Sequence, residues 1–276
     1  MKFGCFSLDY KRFSLERAFR DAQRYGFDGI EIWGGRPHAY PFDMDAEQGR
    51  TIRQYKKTYG LEVPMYTPNA IGMPYCLCSL DDRERADALA YFKKAIDACT
   101  AMEIPRMLMV ADHPGYEIPQ RVGYERFVEN MRVLADYAAP RGVKLVIESL
   151  TAMESPIITT ADDCAEAIRD IGLANVEAML DVVPPNIAYE PMSGYLEKMP
   201  CQVHYVHLCN NDGRTDAHTR LEGGILLVAD MLRVLKEHDF EGYITVELYS
   251  EGYKDPEVML ANSARVLHQI KTELHF

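Results

Sequence analysis

Positive charge is in short supply in this chain: 30 Lys and Arg stand against 42 Asp and Glu in 276 residues, a formal net charge of −12. Such a field repels nucleic acid unless a local basic patch offsets it, and no basic run is present. No apolar run approaches the roughly 18 residues that a membrane span needs. No nucleic-acid or membrane partner is therefore expected. Met1-Lys2-Phe3-Gly4-Cys5-Phe6-Ser7 reads as a strand and lacks the apolar region and small-residue cleavage site of a signal peptide. The cysteines (Cys5, Cys76, Cys78, Cys99, Cys164, Cys201 and Cys209) are scattered, odd in number and form no Cys-x-x-Cys pair. A disulfide framework is thereby disfavoured, and reduced thiols in a cytoplasmic protein are expected. Cys76-Leu77-Cys78 lacks a common zinc spacing and is assigned to a loop or to packing. No Gly-x-Gly-x-x-Gly follows the first strand, so a dinucleotide-binding start is not supported.

What is present is the composition of a globular protein with a full core, 47% hydrophobic and 26% charged. Short β-rich apolar runs near 2–7, 28–33, 62–66, 105–111, 143–147, 176–180, 203–207 and 244–247 alternate with stretches of helical period. Leu15, Ala18, Phe19 and Ala22 line one such helix; Phe127, Met131, Leu134 and Ala138 line another. Ser14, Ser79 with Asp82, and Thr160 with Asp163 mark helix starts, and Pro256 suits a first turn. Glycines 26, 60, 142 and 242 fall just before strands, where a helix must end and reverse. Pro184, Pro185 and Pro191 break the pattern after the sixth strand, leaving only a short helix near 192–198. Strict alternation without a composition shift predicts a parallel sheet, and eight units predict an α/β fold of one (β/α)8 barrel domain over residues 1–276.

In such a barrel the strand ends face a shared mouth where active sites are built. Strand five ends in Glu148, strand six in Asp181, strand seven in His207 and strand eight in Glu247. Each alone is explained as well by a cap or a salt bridge. Together, three carboxylates at one mouth would raise one another's pKa values unless a cation neutralised them. Oxygen ligands with one imidazole suit a single divalent ion: Mn²⁺, Mg²⁺, Co²⁺ or Zn²⁺.

These four residues, the glycine-flanked strand Asp28-Gly29-Ile30-Glu31-Ile32-Trp33 and the closing Thr245-Val246-Glu247-Leu248 resemble the xylose isomerase-like barrel superfamily, which includes sugar isomerases and ketose 3-epimerases. Gly34-Gly35-Arg36-Pro37-His38, Tyr66-Thr67-Pro68, Gly72-x-Pro74-Tyr75 and His113-x-Gly115-Tyr116 resemble the fructoselysine 3-epimerases within it. The resemblance spans nearly the whole chain.

The resemblance implies a carbohydrate epimerase in which Glu148 and Glu247 are both ligands and proton carriers, while Asp181 and His207 are ligands only. It also implies substrate-contacting roles for Glu154, six residues after Glu148, and for the Asp216-x-His218 pair. His113 stands just past strand four, and Trp33, Arg36 and His38 are placed to shape the pocket. The expected ligand is a sugar or amino sugar, with amine recognition by Glu154, Asp212 and Asp216. Psicose- and tagatose-type epimerases carry a His three residues after the metal Asp, where this chain has Pro184, and a Pro-Gly-x-Gly turn where it has Leu221-Glu222-Gly223-Gly224. An aldose–ketose isomerase of the hydroxypyruvate type uses the same kind of site and stays open as an alternative. A metal-dependent hydrolase on the same barrel calls for more His ligands and a basic face. A homo-oligomer is compatible with the sequence, which carries no signature of one.

Overall fold

Eight parallel strands form the wall of a closed barrel, each hydrogen-bonded to the next and the last to the first. They are β1 (Lys2–Phe6), β2 (Gly29–Gly34), β3 (Tyr66–Pro68), β4 (Arg106–Met109), β5 (Lys144–Ile147), β6 (Val176–Asp181), β7 (Val203–Leu208) and β8 (Tyr243–Val246). Closure is made by β1 on β8, with Lys2 opposite Tyr243 and Cys5 opposite Val246. The computed structural model describes residues 1–72, 75–251 and 253–275; Pro74 of the Gly72-x-Pro74-Tyr75 motif lies outside them.

The outer layer comprises α1 (Leu15–Arg24), α2 (Ala46–Tyr59), α3 (Asp82–Met102), α4 (Gln120–Ala138), α5 (Ala161–Ile171), α6 (Val183–Ala188), α7 (Ser193–Lys198), α8 (Val228–Glu237) and α9 (Pro256–Leu274). Their apolar stripes pack on the outward faces of the strands. Phe19, Phe92, Phe127, Leu134 and Leu232 are all buried in this shell. Each strand is thus covered on both faces, as parallel strands require.

Caps follow the sequence at most ends. Ser14 Oγ accepts from the Arg17 N–H, and Thr160 with Asp163 forms a reciprocal capping box. Pro256 occupies the first turn of α9, and Gly60 closes α2 in the left-handed region at φ 64°.

The structure departs from expectation at four places. The ladder of β3 begins at Tyr66 rather than at residue 62. Pro64 has no N–H to give, so residues 62–65 meet the β2 side through an isolated bridge, where the Glu62 N–H donates to Asp28 O and its carbonyl accepts from the Ile30 N–H, and through the Met65 carbonyl, which accepts from the Ile32 N–H. The cap of α3 is Asp81, which accepts from the Arg83 and Glu84 N–H groups, while Ser79 braces it by accepting from the Asp81 N–H. Pro184 and Pro185 do not break a helix but start one: they fill the first turn of α6, where no intrahelical N–H is needed. Gly242 serves close approach rather than chain reversal, since a Cβ there would lie 2.1 Å from the His204 carbonyl oxygen.

Candidate metal centre

Side chains alternate along a strand, so every second residue faces the barrel interior. Val146 and Glu148 form such a pair, as do Met179 and Asp181, Tyr205 and His207, and Thr245 and Glu247. Each polar member therefore stands one layer above a floor that includes Met65, Leu108, Val146, Met179 and Tyr205. Asp181 and His207 are direct register partners across β6 and β7. The Glu148 N–H donates to Met109 O at 3.0 Å and the Glu247 N–H to Leu208 O at 3.2 Å, which carries the ladder past both strand ends and fixes the two glutamates.

The sequence-selected quartet meets at one point. One potential ligand atom from each of Glu148, Asp181, His207 and Glu247 lies within 4.8 Å of the others, and all four residues are buried. His207 Nδ1 stands 2.8 Å from Glu148 Oε1 and 2.9 Å from Glu247 Oε2. Even so, neither Nδ1 nor Glu148 Oε1 has a well-directed hydrogen bond. Buried polar atoms left in this way are expensive unless something else satisfies them. An imidazole nitrogen converging with carboxylate oxygens in a buried pocket suits a shared divalent cation that takes the place of protons, and the donor set fits Mn²⁺, Mg²⁺, Co²⁺ or Zn²⁺. Asp181 also belongs to a second group of metal-type side chains, with Cys209 and His218.

The electrostatics are those of crowded acids in a dry place. Burial pushes Glu148 up to about 8, against the pull of His207. Burial acts on Glu247 in the same sense, but the imidazoles of His207 and His218 outweigh it and hold that carboxyl at about 2. Burial disfavours a charged His207, yet Glu247, Glu31 and Glu148 overcome it and raise the imidazole well above its ordinary range.

Around this centre lies a cavity of about 330 Å³, lined by Glu148, Asp181, His207 and Glu247 and by Glu154, His218 and Trp33 among others. Glu154 accepts from both the N–H and the hydroxyl of Thr151 at 3.0 Å, and burial together with nearby Asp216 pushes it up to about 7. Asp216 accepts from the Tyr249 hydroxyl, and burial raises its carboxyl. His218 Nε2 lies 3.1 Å from Asp181 Oδ2 and 3.4 Å from Glu247 Oε2. Burial opposes a proton on His218, but these two acids prevail and push it up to about 10.

Four sequence-selected residues stand elsewhere. Arg36 is exposed, paired with Asp43 at 2.6 Å and stacked on Tyr40, because the chain turns outward after Gly34. His113 caps its own loop: its Nδ1 accepts from the Gly115 N–H at 2.9 Å and its ring meets Tyr116 edge-on. Asp212 is spent on a turn, accepting from the Arg214 and Thr215 N–H groups at 2.8 Å. His38 is buried behind Trp33, its Nε2 against the carbonyls of Tyr10 and Phe13.

Two side chains escaped the sequence reading. Tyr249 lines the cavity and holds Asp216. Glu31 is buried inside the barrel against His207, Tyr205 and Thr67. Its signal was legible: a carboxylate in the middle of a strand covered on both faces needs polar partners there.

A family model described as "Xylose isomerase-like TIM barrel" matches residues 19–270. A fructoselysine 3-epimerase of Shigella flexneri is 34% identical over 258 residues, covering 94% of each chain. A probable ketose 3-epimerase of Synechocystis is 26% identical over 274 residues, covering 96% of this chain and 89% of that one. Among solved structures, a D-psicose 3-epimerase with D-tagatose from Clostridium cellulolyticum superposes with a TM-score of 0.83 at 17% identity, over 99% of both chains. That last likeness is one of fold.

Proposed function

The chain belongs to the xylose isomerase-like TIM barrel family, and from that premise we propose that it is a metal-dependent ketose 3-epimerase acting on fructoselysine or a related amine-bearing ketose. One observation carries the reading: Glu148 and Glu247, from strands separated by β6 and β7, converge with Asp181 and His207 at the floor of one cavity. The relatives named as fructoselysine and ketose 3-epimerases support the same reaction.

Epimerisation beside a ketone requires removal of a weakly acidic C–H proton and its return to the opposite face of a planar enediolate. When bound by Glu148, Asp181, His207 and Glu247, a divalent cation supplies Lewis-acid stabilisation of the negative charge that develops on the substrate's oxygens. The two glutamates are the proton carriers, one for each face. In the metal-free protein burial raises Glu148; a bound cation would lower it again and leave the carboxylate form that a base requires. Asp181 holds its place by accepting from the Val183 N–H at 2.9 Å, and the apolar floor beneath keeps water out.

Substrate selection is assigned to the acidic wall. Glu154 and Asp216 are partly buried, Asp216 is near enough to raise Glu154, and Thr151 and Tyr249 hold the two carboxylates. A substrate ammonium group would satisfy both. The working compartment on this reading is the cytoplasm, in keeping with cysteines that are all free.

The deciding experiment incubates the Mn²⁺-loaded protein with fructoselysine in D₂O and follows the product by NMR. Deuterium entering at C3 with inversion there is the expected result. Deuterium at C1 or C2 would instead mark an aldose–ketose isomerase, and no exchange with either fructoselysine or D-psicose would remove the epimerase reading.

A further inference from the structure

We infer that Glu31 is the positioning residue of the metal centre: by accepting the Nε2 proton of His207, it fixes the tautomer whose Nδ1 lone pair points at Glu148 and Glu247. The assignment rests on the four-residue metal centre above, but not on the identity of the sugar. It starts from the ring's two nitrogens. Nε2 faces Glu31 Oε2 at 2.9 Å, across 176 positions of sequence. Nδ1 faces Glu148 and Glu247 on the opposite side and has no well-directed hydrogen bond. A neutral imidazole carries one proton, and the nitrogen that holds it is set by whichever acceptor the ring finds.

The ring itself is clamped by packing. Phe6 stacks on it with centroids 5.8 Å apart, and Tyr205 meets it edge-on at 5.9 Å. Packing of this kind fixes the ring plane but does not choose between the nitrogens. Glu31 makes that choice because it is itself immobilised. Its Oε2 also accepts from the Tyr205 hydroxyl at 2.8 Å, and its Oε1 accepts from Thr67 Oγ1. Tyr205 is tied in turn to Thr245 Oγ1 at 2.6 Å. Among the described residues no Lys or Arg forms an ion pair with Glu31, which is wholly buried. A buried carboxylate without a basic neighbour costs the fold free energy. The partner offsetting that cost is the imidazole, and a carboxylate behind a ligating histidine both orients it and makes it a better donor.

The test reads metal binding, not turnover. Mn²⁺ is titrated calorimetrically into the wild-type protein, E31Q and E31A, with the fold of each checked by circular dichroism. Removing such an outer partner typically weakens metal binding by about 10–100-fold. E31A is expected near the upper end, and E31Q, which keeps an acceptor oxygen for Nε2–H, nearer the lower. Long-range ¹H–¹⁵N spectra of His207 in the diamagnetic Zn²⁺-loaded protein should show the Nε2–H tautomer in the wild type and its loss in E31A, a readout that a merely structural role would leave alone. Wild-type Mn²⁺ affinity in a folded E31A overturns the assignment, and if E31A does not fold, E31L, which likewise offers Nε2–H no acceptor, decides. Failure of the wild type to take up Mn²⁺ would overturn the metal centre as well. Failure to epimerise fructoselysine, with Mn²⁺ binding intact, would count against the sugar reading only.

Discussion

His218 Nε2 lies 3.1 Å from Asp181 Oδ2, although 37 positions separate the two residues. An imidazole at this point arrives from the loop after β7 and not from the segment after β6, where Pro184 is buried in the first turn of α6. The loop is built to deliver it. Asn211 Nδ2 donates to the carbonyls of Thr215 and Ala217 at 2.8 Å, and the His218 N–H donates to Ser250 Oγ at 2.9 Å. The absence of a His at position 184 therefore leaves Asp181 with an imidazole neighbour all the same.

Metal loading should depend on His207 and Asp181 individually. His207→Ala removes the one nitrogen donor of the quartet, and Asp181→Ala one of its three carboxylates. Each is expected to bring Mn²⁺ below one ion per chain in metal analysis while circular dichroism stays that of a folded barrel. Unchanged stoichiometry in both variants would contradict the site.

Glu148→Gln and Glu247→Gln should each lower turnover by roughly 10²–10⁴-fold, the usual cost of losing a general acid or base. Isotope exchange is more informative than net rate. The glutamate left in each variant can still remove and return a proton on its own face, so deuterium should wash into one epimer without inversion. Two variants that epimerise at wild-type rates with Mn²⁺ bound would show that the proton carriers are other groups.

Metal uptake should release protons at neutral pH. In the metal-free protein Glu148 titrates at about 8 and His207 well above the ordinary imidazole range, so both are largely protonated at pH 7. Ligation needs the carboxylate and the free lone pair, so cation and proton compete. Apparent Mn²⁺ affinity should fall as pH falls below about 8. Titrations at pH 7 in two buffers of different ionisation enthalpy should give heats that differ by the protons released; identical heats would contradict the coupling.

Selection of an amine-bearing substrate should weaken on the acid side of neutrality. Glu154 has a carboxyl raised to about 7, so its charge is present above that value and is lost as pH falls through it. KM for fructoselysine should therefore rise below pH 7, and Glu154→Gln should raise it at pH 8 by about tenfold or more, the scale of one charge-assisted hydrogen bond. D-psicose, which has no amine, should respond less to the same change. Equal responses of the two sugars would assign Glu154 some other role.

Much of this protein is determined by local sequence. Alternation of β-rich and helical runs, with Ser14, Thr160 and Gly60 at helix ends, specifies the barrel, because period and capping are properties of neighbouring residues. The convergence of Glu148, Asp181, His207 and Glu247 was legible for the same reason: in a parallel barrel the C-terminal strand ends face one mouth, and all four stand at or beside such an end. Three further matters only the tertiary structure decided. His218 reaches Asp181 through a loop whose path depends on Asn211. Arg36 and His113 turn away because each finds a nearer partner, in Asp43 and in Gly115. Glu31 meets His207 only when β2 and β7 face one another across the closed interior. Contacts across a barrel join residues with no fixed spacing in the chain, and no local pattern of the sequence encodes them.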